Sequence, residues 1–156
     1  NLTEEETKNF IDKWYTKHTA LLGWIHQTEN QLIKDGELRT IFGRLRHLQG
    51  ANRKDKFGKR MLRQGVNFVI QSPASDITLI AISELNKVFT NKELNRLLIT
   101  VHDQVMFETK SDKEDEMTKA VKYIMEQRVP IVMKERFGID FDVPLDIDVY
   151  IGKEWQ

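Results

Sequence analysis

The chain has no cysteine, which removes disulfide frameworks and thiolate metal sites and fits a reducing cytosol. No apolar run approaches the roughly 18 residues of a membrane span. The N-terminus is acidic where a secretory signal would be basic. Neither charge is in excess, with 24 Lys and Arg against 24 Asp and Glu. These absences make a soluble, cytoplasmic protein with no membrane partner the expectation. What is present agrees: 40% hydrophobic and 31% charged residues are too apolar for a disordered chain, and 156 residues suffice for one modest core.

The balanced total conceals a segregation along the chain. Between Arg39 and Arg63 stand nine cations (Arg39, Arg44, Arg46, Arg53, Lys54, Lys56, Lys59, Arg60 and Arg63) against one acid, Asp55. Glycines and polar spacers interrupt this stretch, so no apolar stripe accounts for it, and binding of a polyanion competes with a plain solvated face. From His102 to Lys119 six acids face three lysines.

Local signals give an α+β order. Thr3 to Glu6 is a capping box, which predicts a long helical segment carrying Phe10, Trp14, Leu21, Trp24, Ile25 and Leu32. That segment should break near residues 17–20 and stop at Gly36, with Trp14 and Trp24 in a core or lining a groove. Short strands on either side of Gly43 should form a small basic hairpin over residues 38–48, followed by a loop over 49–59. Helical spacing resumes near Met61, and Ser72-Pro73 predicts a fresh helix start, with Ile77, Ile80, Ala81, Leu85 and Val88 on one face. Two apolar runs, Leu97 to Val101 and Val105 to Phe107, predict an antiparallel hairpin bent at Asp103. Ser111 to Glu114 reads as a second capping box, Pro130 as a break or restart, and Gly138 as a stop. Leu145, Ile147, Val149 and Ile151 alternate with polar residues, as in a closing strand. The expected division is a helical segment over 1–36, a basic hairpin and loop over 37–60, and one sheet-containing portion over 61–156.

Candidate chemistry sits in three places. Arg63, Asn67 and Gln71 recur at i, i+4 and i+8 and so share one helix face. Arginine grips phosphate, and amides both donate and accept at base edges, so this face suits a nucleic-acid duplex. Arg44 and Arg46 lie in the basic hairpin. Asp103 stands at a bend that lacks the usual Asn-Gly or Asp-Gly pair; it could serve the turn by bonding its own backbone, or present a carboxylate.

Four segments in order carry a resemblance: "LRTIFGRLRHL", "RQGVNFVIQSPASDI", "VHDQVMFE" and "DIDVYIGKEWQ". Together they resemble the C-terminal part of family A DNA polymerases, the DNA polymerase I type, and the compact, divergent motifs suggest a phage source. The resemblance implies an antiparallel palm-type sheet packed against helices, preceded by a helical segment from the end of the fingers. It implies that Asp103 is a catalytic metal ligand, that His102 lies near the primer terminus, and that Arg44, Arg46, Arg63, Asn67 and Gln71 contact primer-template DNA. It further implies a two-ion Mg2+ site that this chain supplies only in part, and template-directed transfer of a nucleotide from a deoxynucleoside triphosphate.

This sequence departs from the family at Gln104, where the family carries glutamate beside the metal. The family's other catalytic aspartate and its nucleotide-binding fingers helix lie upstream of the matching region, so the chain alone is expected to be inactive and an N-terminal polymerase portion is the expected partner. In the alternative reading the chain is a non-catalytic DNA-binding or assembly module that keeps the fold.

Overall fold

The structure is a computed structural model that describes residues 3–89 and 95–154. The chain divides into two units, Asn1–Gln71 and Ser72–Gln156.

In the first unit, α1 (Glu4–Lys17) and α2 (Thr19–Asp35) are separated at His18. Thr3 caps α1 as the sequence predicts: its side chain accepts from the Glu6 amide while Glu6 bonds back to the Thr3 amide at 2.8 Å. Gly36 ends α2 in the left-handed conformation, where glycine pays no Cβ penalty. The strands β1 (Glu37–Arg39) and β2 (Leu45–His47) then pair antiparallel, with Leu38 opposite Arg46.

The helix α3 starts at Lys56, so four residues expected in the loop are helical. Asp55 explains the start: its Oδ1 accepts the Gly58 amide at 3.0 Å, satisfying a first-turn donor. The core of this unit is Leu32, Leu38, Leu48, Ala51, Met61 and Phe68. Gly65 makes that core possible, because a Cβ there would lie 2.5 Å from Leu32 Cδ2 and 3.0 Å from Leu38 Cδ1. α1, by contrast, buries no residue. Phe10 and Trp14 are exposed and Trp24 is only half-buried, so neither tryptophan belongs to the core. Trp14 instead meets Tyr15 edge-on and His18 at a 4.3 Å centroid distance, contacts within its own turn of chain.

α3 runs through to Val88 with Pro73 inside it, so no new helix starts at Ser72-Pro73. An interior proline forfeits one hydrogen bond and strains the preceding turn, at about 3 kcal/mol. The loss is tolerated because apolar residues are buried on both sides of it, Met61 and Phe68 before it and Ala81 and Leu85 after it. Val88, expected on the same face, is exposed. By length and apolar composition α3 could cross a membrane, a test that the core helix of a water-soluble protein also passes.

In the second unit, β3 (Asn95–Val101) and β4 (Gln104–Thr109) form the expected hairpin, with a bulge between Leu97 and Ile99. A 3₁₀ turn, Ser111–Lys113, leads into α4 (Glu114–Lys122). No side chain caps either element, so the second capping box does not form. The turn's own backbone bond, from the Lys113 amide to the Lys110 carbonyl, replaces it. A π-helical segment, Tyr123–Arg128, joins α4 to α5 (Val129–Phe137), whose first turn holds Pro130 and whose end is Gly138. The widened turn precedes proline where a regular ladder would need its missing amide. Leu85, Phe89, Met117, Val121 and Ile124 form the core, with Val105, Phe107 and Ile147 packed against it.

The predicted closing strand is corrected. Leu145, Ile147 and Val149 are half-buried and Asp146, Asp148 and Tyr150 exposed, as the alternation requires, but Ile151, expected on the buried face, is exposed, and the segment joins no sheet among the described residues. Alternation encodes a buried face; a strand also needs a partner backbone.

Candidate functional site

The polar face of α3 is wider than Arg63, Asn67 and Gln71. Because the helix begins at Lys56, Lys56 and Arg60 fall on the same face as these three, at i, i+4, i+7, i+11 and i+15. All five are exposed, while Met61, Gly65 and Phe68 on the opposite side are buried. Assigning residues 37–60 to a hairpin and loop hid Lys56 and Arg60, and the Asp55 cap was the signal that could have revealed them.

The basic hairpin is tied to the same helix. The Arg46 guanidinium lies 5.6 Å from the centre of the Phe68 ring, a cation–π contact that holds β2 against α3. Arg44 sits at the end of the hairpin's connection, where its carbonyl accepts from the Thr40 amide at 2.9 Å and its amide donates to Thr40 Oγ1 at 3.2 Å. Arg44, Arg46 and the α3 face are thus all parts of the first unit.

The hairpin turn lies in the second unit. His102 and Asp103 are its two central residues, between the paired Val101 and Gln104. His102 has φ +55°, and among the described residues no other non-glycine residue has positive φ. A positive φ at the first central position alone is the type II′ pattern, which glycine fills at least cost. A histidine held there stores strain, of the kind that concentrates at functional sites. His102, Asp103 and Gln104 are all exposed. Gln104 shares its side of the strand with Met106 and Glu108, whereas Val105 and Phe107 point to the core.

The arrangement offers one exposed carboxylate for a cation. Among the described residues no group of three His, Asp or Glu side chains could hold a metal ion. Asp103 fits Mg2+ as a single hard-oxygen ligand, since magnesium is often bound through one or two carboxylates plus substrate phosphates. Trp155, in the fourth resembling segment, lies outside the described residues.

A model of DNA polymerase family A matches residues 1–156. Among curated proteins, the chain is 24% identical over 156 residues to DNA polymerase I of Helicobacter pylori, covering 100% of this chain and 16% of that protein. It is 29% identical over 154 residues to the thermostable DNA polymerase I of Thermus filiformis, covering 97% of this chain and 17% of that protein. It is also 29% identical over 156 residues to the DNA polymerase of Bacillus phage SP01, covering 99% and 17%. The chain therefore spans about a sixth of the length of these relatives. Among solved structures, it is similar in fold to the POL domain of Pol1 from M. smegmatis, in complex with DNA primer-template and dNTP. The TM-score is 0.77 at 24% identity, over 93% of this chain and 24% of that one.

Proposed function

The chain belongs to DNA polymerase family A, and on that premise we propose that it is the part of a template-directed DNA polymerase that grips primer-template DNA and supplies one metal-binding aspartate. The observation that carries this reading is the His102-Asp103 turn, which spends backbone strain to hold an exposed carboxylate between two strands. In this reading the hairpin belongs to the palm. The exposed face from Lys56 to Gln71 supports the DNA-binding half: cations at its start suit phosphates, and the amides of Asn67 and Gln71 suit base edges or sugars. Arg44 and Arg46 extend the phosphate contacts.

Asp103 would hold magnesium together with phosphate oxygens of the nucleotide. A divalent ion bound there would stabilise charge on the attacking and leaving oxygens of phosphoryl transfer. His102 stands next to that carboxylate and would face the primer end. One carboxylate does not assemble a two-ion clamp, so the missing ligand and the nucleotide-binding residues must come from the rest of a polymerase. The 156-residue chain by itself should not extend a primer at any magnesium concentration.

The test is a chimera in which residues 1–156 replace the matching segment of the Helicobacter pylori polymerase. Primer extension by the chimera, abolished by Asp103→Asn with DNA affinity retained, supports the assignment. Extension that survives Asp103→Asn refutes it. A folded chimera that binds DNA without extending it favours the non-catalytic module.

A further inference from the structure

Phe57 is a large apolar side chain held at the surface, against Gly50 and Arg53. It stands in the first turn of α3, outside the core of its unit, and is 44% exposed. Flanking it in sequence are the exposed cations Arg53, Lys54, Lys56 and Arg60, the last at i+3 and so on the same side of the helix. The Arg53 guanidinium lies over the ring, 5.2 Å from its centre.

The surrounding loop is built to hold this pair. Asp55 Oδ2 accepts from Arg53 Nε at 3.0 Å, and Asp55 Oδ1 accepts from the Gly58 amide at 3.0 Å. The one acid of the basic stretch is thereby engaged in positioning Arg53 and capping α3, and both bonds hold its carboxyl below the usual aspartate range. Two glycines allow the closure. A Cβ at Gly58 would lie 1.9 Å from the Arg53 carbonyl oxygen, and one at Gly50, where φ is +84°, would lie 2.8 Å from the edge of the Phe57 ring.

We propose that Phe57, fixed by Arg53 and the Gly50 to Gly58 loop, is a stacking platform for an unpaired nucleobase in a single-stranded extension of the bound DNA. An exposed aromatic among cations is how proteins hold single strands: the ring stacks on any base, and the cations take the phosphates on either side. Arginine adds a second flat surface that itself stacks on bases. Such a site discriminates single-stranded from paired DNA, because a base within a duplex has no free face. The proposal rests on the DNA-binding reading above and adds to it a contact beyond the duplex.

The experiment uses the 156-residue chain and two probes, a blunt DNA duplex and the same duplex with a single-stranded thymine extension containing 2-aminopurine. The parent should bind the extended probe more tightly and quench the 2-aminopurine. Phe57→Ala should weaken binding of the extended probe about tenfold, leave the blunt duplex unchanged and abolish the quenching. Phe57→Trp should keep both the preference and the quenching. Equal losses on the two probes, or quenching that persists in Phe57→Ala, would overturn the platform alone. Failure of the parent to bind either probe would remove the DNA-binding reading and the platform with it.

Discussion

Glu84 and Arg128, 44 residues apart in sequence, meet in an ion pair with Nε 3.3 Å from Oε2, which joins the end of α3 to the π-helical segment. The other Glu84 oxygen bonds Lys87, and Arg128 reaches on to Glu135 at 3.3 Å. The Glu84 side chain is only 7% exposed, so these bonds are what keep a charge there.

Replacing Glu84 by Gln should lower unfolding free energy by about 1–2 kcal/mol at neutral pH, held down because both cations remain partly solvated. Lys87 first, and then Arg128, hold the folded carboxyl below the usual glutamate range. A carboxyl depressed in the folded state stabilises above its unfolded pKa and loses that contribution as pH falls through the folded value. Urea titrations of parent and Glu84→Gln should therefore differ at neutral pH and converge in acid. A constant difference down to about pH 3 would mean that packing, not charge, is what the substitution removes.

His102→Gly tests the strain in the turn. Glycine reaches φ +55° without a Cβ clash but loses more chain entropy on folding. Thermal unfolding should show a gain of no more than about 1 kcal/mol. Extension by the chimera should fall all the same, since the histidine is removed from beside Asp103. A large loss of stability would mean that the histidine side chain holds the hairpin.

DNA binding by the chain should weaken steeply with salt, each neutralised phosphate adding about −0.9 to the slope of log affinity against log salt. Arg44, Arg46 and Arg63 replaced together by Gln should reduce that slope by about 2 to 3. Adding Lys56→Gln and Arg60→Gln should reduce it further, because these residues share the α3 face. An unchanged slope in the fivefold variant would place the DNA surface elsewhere.

Gln104→Glu asks what the amide has replaced. The new carboxylate would follow Asp103 directly and lie on the strand side that already carries Glu108. Two carboxylates so close raise the pKa of one of them. Extension by the chimera should fall, most at low magnesium and low pH. A faster rate at saturating DNA and nucleotide would instead mean that a second acid is what the site lacks.

Much of the placement of the candidate residues was legible because it depends on neighbours in sequence. Three polar residues between two apolar runs put Asp103 at a bend, and period-four spacing put Arg63, Asn67 and Gln71 on one face. Helix ends at Gly36 and Gly138 follow from local backbone chemistry in the same way. The strain at His102 was not legible, since the turn type depends on the register of the paired strands.

Other features needed the folded chain. The sequence by itself marked Leu145, Ile147 and Val149 for burial, but whether that face meets a sheet partner or only a core is settled by segments far along the chain. It marked Pro73 as a breaker, yet apolar contacts of α3 before and after the proline outweigh one lost hydrogen bond. Nothing local asks for glycine at position 65 or pairs Arg46 with Phe68; they follow from close approach of α2 and of the β1–β2 hairpin to α3. Local chemistry acts within a few residues and can be read along the sequence, whereas packing joins residues that only the folded chain brings together.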